Sequence, residues 1–403
     1  MAHSHGAATE HPEQVKALNL PPNMSCLLIK TRTVSIEPIP LPVLQPDGVL
    51  VKVMANGICG SDMHLYLAGG VGGRPMLEPT VMGHEAAGEV IAVGANVTTH
   101  HPGDRVAVEP GLPCRRCINC KTGRSNICMT MKYCGSPGTH GSLSKFFALP
   151  ADMAPHIPDS VSWDEAGSIQ PLAIGCMIGK RADVRPHKTM AIFGCGPIGL
   201  ISAAVSHVYS TRKIIAFDIN PKRVEFAKKY ISPLTGKPII DHVFHIDALP
   251  SQPKSAQEGE HHQTEGDYKF EIAEARMMEI LRQVGLEEEG GVDTVIEASG
   301  AGDAMMHGIA IAKLGGIYLQ VGLGHVQTHV FPTIAVTNKD LEVRGLTRYT
   351  ADSFPSAIDL LTRGVVNLKP LITTTFPLSR AQDAFEAVAS GNEMKVIIKN
   401  QEA

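Results

Sequence analysis

Long uninterrupted apolar runs are missing from this sequence. The longest, Thr189 to Val205, is broken by Gly194, Gly196, Gly199 and Pro197 and makes a poor membrane span. Positive charge is scarce too. The net charge is −4, aromatic residues make up 5%, and no basic patch is interleaved with aromatics, so neither nucleic acid nor an anionic membrane surface is expected as a partner. Met1-Ala2-His3-Ser4-His5 lacks the basic start and apolar core of a signal peptide, and a cytoplasmic location is the expectation. A disulfide framework is disfavoured as well. The cysteines number nine, an odd count, and four of them crowd between Cys114 and Cys128, which favours a reducing compartment and metal.

The 403 residues are too many for one ordinary core, so two domains are expected. An apolar content of 43% with 39 Gly and 28 Pro suits an α/β protein with many turns. Residues 1–23 read as a mobile tail, with a metal-binding arm as the alternative. From Met24 short strands alternate with turns: 25–31, 48–54, 87–93 and 105–109, a Gly-rich, mostly β domain. After about Leu172 strands alternate with helices, which means a parallel sheet covered on both faces. Strands are expected at 189–193, 213–217, 292–297 and 317–321, and helices at 197–208, 221–230 and from about 300 to Lys313. Residues 250–267 read as a solvated surface insertion, followed by a helix with Ile272, Met277, Ile280 and Leu281 on its inner face. A last strand, 395–399, has no obvious partner in the α/β part, and a return to the first domain is expected.

The chemistry is placed between Cys59 and Glu85. Cys59, His84 and Glu85 supply thiolate, imidazole and carboxylate, the donor types zinc accepts, and a catalytic site takes three protein ligands and keeps a fourth position open. Ser61 is a hydroxyl beside that position, and His64 can carry a proton outward because imidazole titrates near neutrality. Against this stands the plain reading of each residue as a packed core group.

Gly194-Cys195-Gly196-Pro197-Ile198-Gly199 follows a strand and opens a helix, the setting a dinucleotide fingerprint needs. The first Gly permits the tight turn, the second lets backbone approach a pyrophosphate, and the third lets helix pack on strand. Asp218, 19 residues past Gly199, would accept both ribose hydroxyls of NAD and repel the 2′-phosphate of NADP. Arg223 would pack over the adenine or soften that selectivity. Val321, Gly322 and Leu323 at the end of a later strand, and Arg348, are assigned to the same cofactor. Cys114-x2-Cys117-x2-Cys120-x7-Cys128 offers four thiolates for a closed, structural zinc, with an iron–sulfur cluster as the competing reading.

With these residues in hand, the chain resembles the zinc-containing medium-chain dehydrogenases from about Met24 to Lys399. Within them it is similar to the polyol branch: the sorbitol, xylitol and L-arabinitol dehydrogenases, fungal ones especially. The likeness rests on Gly57-Ile58-Cys59-Gly60-Ser61-Asp62, Gly83-His84-Glu85, Glu109-Pro110-Gly111 ahead of the cysteine cluster, and Thr347-Arg348-Tyr349. The resemblance implies an α/β protein in which a GroES-like, mostly β catalytic domain (24–171 and 344–403) is split by a Rossmann doubly wound parallel-sheet domain (172–343), with the active site in the cleft. It implies NAD, two zinc ions per chain (one catalytic, one structural), and oxidation of a secondary hydroxyl of a polyol to a ketose. It further implies that Asp62 orients His84, that Ser61, Tyr133, Gln170, Arg348 and Tyr349 face the polyol, and that the chain forms a homotetramer. Two departures stand out. Gln170-Pro171-Leu172 replaces the usual Glu-Pro-Leu, keeping a hydrogen bond while losing a charge near the metal, and Leu65 stands where an aromatic residue is common. A zinc dehydrogenase for a simple alcohol or amino alcohol, or a catalytically silent NAD-sensing homologue, are the alternatives.

Overall fold

A computed structural model describes residues 13–253, 264–324 and 328–401, which divide into two compact units. The first comprises residues up to Gln170 with Thr350–Thr362 and from Leu368 on; the second is Pro171–Tyr349 with Arg363–Asn367.

The first unit is built on the strand Gly48–Gly57, whose residues are nearly all buried. It pairs antiparallel with Glu85–Val93 along one edge, and along the other with Phe146–Pro150 and Lys395–Lys399. Val49, Val51, Val53, Val90 and Val106, with Ala86 among them, make one side of this sheet a largely β-branched core, as such residues favour on a pleated surface. The strand Lys395–Lys399, expected to return to this domain, lies antiparallel to Gly48–Gly57 and parallel to Ile372–Pro377. A smaller sheet joins Asn23–Lys30 to Thr33–Ile39 and Thr80–Val81. The tail reading of 1–23 ends earlier than expected. Residues Glu13–Ala17 form a helical turn whose Val15 packs with Leu44, Leu50, Ala92 and Phe146, an apolar anchor hidden among polar neighbours; residues 1–12 lie outside the described set.

The second unit holds six parallel strands in the spatial order His242–His245, Lys213–Asp218, Thr189–Phe193, Val292–Glu297, Ala312–Gln320 and Glu342–Gly345. Numbered along the chain, this is the order 3-2-1-4-5-6 of a doubly wound dinucleotide fold, with its switch point beside Thr189–Phe193. Two of these strands, His242–His245 and Glu342–Gly345, were not expected. Each is four residues long and carries charged or imidazole side chains, too short for periodicity to register. The expected insertion 250–267 is likewise shortened. Residues 254–263 lie outside the described set, and Thr264 caps the helix Glu265–Gln283 in a reciprocal box with Asp267. That helix buries Ala273, Met277 and Leu281 at a spacing of four, with Ile272 and Ile280 at the margin of the same core. No helix among the described residues is long and apolar enough to cross a membrane.

Candidate metal centre and cofactor site

In the first unit, the strand Gly48–Gly57 delivers Cys59 to the N-cap of the helix Gly60–Ala68, while Glu85 opens the partner strand directly opposite Gly57. This register brings one donor atom each of Cys59, His84 and Glu85 to within 4.8 Å of one another. His84 and Glu85 are buried and Cys59 is half-buried. Asp62 organises the approach. Its Oδ2 accepts the Cys59 N–H at 3.0 Å, its Oδ1 accepts the Gly83 N–H at 3.3 Å, and Oδ1 lies 3.4 Å from His84 Nδ1. With Nδ1 turned to a carboxylate, Nε2 is left to face a cation, the usual arrangement behind a metal-binding histidine. Burial works against the Asp62 charge, yet His84 and the two backbone N–H groups hold its carboxyl below the ordinary value. Burial likewise opposes protonating His84, but Asp62 and Cys59 push its imidazole well above the ordinary value. A pocket this attractive to a proton attracts a metal cation for the same reason, and the metal displaces the proton. The donor set fits zinc.

Ser61 Oγ stands 3.2 Å from His84 Nε2, on the donor side of the ring. His64 follows three residues later in the same helix, and so on the same face. The Tyr133 ring is tilted over His84 at 5.6 Å between centroids, and Gln170 Nε2 donates to Tyr133 Oη at 2.9 Å. Ser61, Tyr133 and Gln170 are thus gathered at the metal donors. Arg348 and Tyr349 belong to the second unit, where Tyr349 is buried and Arg348 takes a left-handed backbone conformation (φ 57°).

The four remaining metal candidates, Cys114, Cys117, Cys120 and Cys128, bring their sulfurs within 4.8 Å of each other as free thiols. Cys117 Sγ lies 3.5 Å from Cys120 Sγ and 4.0 Å from Cys128 Sγ. These values bracket the roughly 3.8 Å edge of a tetrahedron with bonds of about 2.3 Å to zinc. The Arg116 and Cys117 N–H groups point at Cys114 Sγ and lower its thiol to about 6, so a thiolate is at hand near neutrality.

In the second unit, Gly194 ends its strand with φ 102°, and Pro197 opens the helix Pro197–Val208 behind the N-cap Gly196. A Cβ on Gly199 would sit 1.8 Å from Gly194 O, so helix and strand meet only because none is there. Ile198 O accepts from Ser202 one turn on, inside the helix. Asp218, at the end of the adjacent strand, is only 6% exposed. Its Oδ2 accepts the Cys195 N–H and its Oδ1 the Asn220 N–H, each at 2.7 Å. Arg223 Nε is buried with no hydrogen-bond partner among the described residues, and Nη1 lies 3.7 Å from where a Gly196 Cβ would be. Val321 and Gly322 donate to Glu297 O at the end of the neighbouring strand, and Leu323 is exposed.

Residues 45–159 match the model of the alcohol dehydrogenase GroES-like domain, and residues 197–363 that of the zinc-binding dehydrogenases. The D-xylulose reductase A of Aspergillus niger is 35% identical over 379 residues, covering 93% of this chain and 96% of the relative. The chain belongs to the zinc-binding dehydrogenases. Among solved structures, this dehydrogenase is similar to an Escherichia coli alcohol dehydrogenase complexed with NADH, at 26% identity and a TM-score of 0.77, covering 94% of this chain and all of that one. A zinc-binding dehydrogenase of Sinorhizobium meliloti bound to NADP matches at 25% identity and a TM-score of 0.77, again over 94% of this chain and all of that one. Membership brings oxidoreductase chemistry, zinc and a nicotinamide cofactor.

One residue at the metal centre was not foreseen. Lys395 contacts Glu85 from the far end of the chain. A lysine opening the strand Lys395–Lys399 directly ahead of three apolar residues, Val396-Ile397-Ile398, was the available signal, because a cation there must be paired or exposed.

Proposed function

We propose that this dehydrogenase oxidises a secondary hydroxyl of a polyol such as xylitol, sorbitol or L-arabinitol to a ketose, with NAD⁺ as hydride acceptor. The observation that carries the reading is the gathering of Cys59, His84 and Glu85 within 4.8 Å, with Ser61 Oγ at 3.2 Å from His84 Nε2. The name of the fungal relatives, D-xylulose reductase, supports a ketose–polyol pair as substrate and product. Cys59, His84 and Glu85 would hold the catalytic zinc, and a zinc ion so held supplies Lewis acidity that lowers the pKa of a substrate hydroxyl.

The remaining work falls to the chain's own groups. Ser61 takes the hydroxyl proton and His64, on the same helical face, passes it outward. A nicotinamide cofactor, when bound, would supply the hydride acceptor that turns the carbinol carbon into a ketone. Gln170 fixes Tyr133 through the 2.9 Å hydrogen bond, and these two bind other hydroxyls of the polyol. In the cofactor unit, Gly194, Gly196 and the first turn at Pro197–Gly199 take the pyrophosphate, Asp218 the adenosine ribose, and Arg223 the adenine face. Cys114, Cys117, Cys120 and Cys128 hold a second, structural zinc. Free thiols throughout suit the cytoplasm. The homotetramer rests on the resemblance to the polyol dehydrogenases alone.

The test is NAD⁺ and NADP⁺ reduction with xylitol, sorbitol, L-arabinitol, ethanol and threonine. Turnover of the polyols with NAD⁺ is expected; reaction with ethanol or threonine alone would remove the polyol assignment.

A further inference from the structure

The strand Lys395–Lys399 runs through the interior of the first unit, with Val396, Ile397 and Ile398 fully buried. Its first side chain is a lysine only 4% exposed, an expensive placement for an ammonium unless anionic or dipolar partners surround it. Two are on hand. Lys395 Nζ donates to Ile58 O at 3.0 Å, on the residue before Cys59, and forms an ion pair with Glu85 Oε2. A second observation shows that the route is built in. A Cβ on Gly57 would lie 2.3 Å from Glu85 Oε2 and 2.8 Å from Lys395 Cε, so the bare backbone of Gly57 opens the space in which the pair forms.

The charges agree with the geometry. When Cys59, Glu85 and Asp62 are ionised around a metal, they place three negative charges at one buried point, and Lys395 reduces the excess to two, the complement of a divalent ion. We propose that Lys395 is a positioning residue of the Cys59–His84–Glu85 centre: it grips Oε2 of Glu85, leaves Oε1 for the metal, and matches the donor charge to a divalent cation. This rests on the metal-centre reading given above.

The experiment uses the full-length chain as wild type, Lys395→Met, Lys395→Gln and Lys395→Arg. Zinc content and the rate of zinc transfer to a chromogenic chelator are measured, with the four-cysteine site as internal reference. The visible spectrum after cobalt substitution reports the donor geometry. Wild type is expected to carry two zinc ions released in two phases. In Lys395→Met the phase from the Glu85 site should quicken about 10- to 100-fold, the range typical for loss of a group supporting a ligand, while the other phase stays put. The cobalt bands should shift in Lys395→Met and return toward wild type in Lys395→Arg. Lys395→Gln keeps a donor for Ile58 O but loses the charge; it carries the same expectation should the Met variant not fold. Unchanged release and an unchanged cobalt spectrum in the Met and Gln variants, with two zinc ions still bound, would overturn the role of Lys395 alone. A wild-type protein holding only the four-cysteine zinc would overturn the metal centre itself and this inference with it.

Discussion

Asp218 ties two backbone amides together in the cofactor unit and is proposed to bind the adenosine ribose, and a pair of substitutions separates the two roles. Its carboxylate accepts the Cys195 N–H inside the glycine turn and the Asn220 N–H that starts the next helix, both at 2.7 Å. Hydrogen bonds to a charged acceptor contribute about 1.5–3 kcal/mol each. Asp218→Ala removes both; the Asn220 amide is partly exposed and regains water, so the net loss should be near the lower bound of the pair, about 3 kcal/mol. At about 2–4 °C per kcal/mol for a unit of this size, its melting should fall by roughly 6–12 °C. Any change in cofactor preference would then be confounded with a loosened turn. Asp218→Asn is the informative variant, because its amide oxygen keeps one of the two bonds and roughly halves the damage. It still removes the charge that repels a 2′-phosphate and one acceptor for the ribose hydroxyls. At 1.36 kcal/mol per factor of ten, losing one charged hydrogen bond lowers kcat/KM for NAD⁺ by about 10- to 100-fold, with NADP⁺ unchanged or improved. The assay is initial-rate kinetics with both cofactors at saturating polyol, alongside a thermal melt. An Asn variant that melts within a few degrees of wild type and keeps the wild-type NAD⁺ to NADP⁺ ratio would refute the ribose role.

Three further outcomes are expected. Gly199→Ala drives a methyl to 1.8 Å from Gly194 O, so NADH binding followed by its fluorescence should be lost while the four-cysteine site retains its zinc. Asp62→Asn discharges the group facing His84 Nδ1 and should weaken metal binding at Cys59, His84 and Glu85 about 10- to 100-fold, read as zinc retained after dialysis against a chelator series. Glu109 is raised to about 7 by burial, with Asp152 adding to the effect and Arg115 opposing it. The folded chain therefore binds a proton that the unfolded chain releases near 4.5, and the contribution of this group to stability is lost as pH rises from there through 7. Denaturant midpoints should fall less over that window in Glu109→Gln than in wild type; parallel curves would reject the assignment.

The two units differ in how much of them could be read from sequence. In the parallel-sheet unit most long elements were visible because each carries its own local signal. Thr189–Phe193 is a continuous apolar run ended by glycine, Pro197 marks the first helical turn, and Glu265–Gln283 repeats its apolar residues at spacings of three and four. His242–His245 was invisible for the opposite reason. Nothing in four residues flanked by imidazoles says strand; it becomes one because Ala216 and Phe217 offer it a parallel edge. Helix Ile169–Arg181, which places Gln170, is not among the expected elements; its pattern is interrupted by Gly175 and by Pro171, which sits in a first turn that tolerates it.

The metal centre follows the same logic. Donor identity is local chemistry, so Cys59, His84 and Glu85 could be named from residue type and order, and the register of Gly57 against Glu85 then brings them together. The groups that support the donors are legible only as far as they are near in sequence. Asp62 is three residues from Cys59 and closes its loop by a hydrogen bond to that residue's own N–H. Lys395 reaches Glu85 across 310 residues of separation, through a contact that exists only because the last strand returns to the first sheet. A charge in an apolar strand announces that some partner must exist, since a lone buried ammonium is too costly to keep. Which carboxylate it meets is decided by topology, and that is why the supporting cation, unlike the donors, had to await the fold.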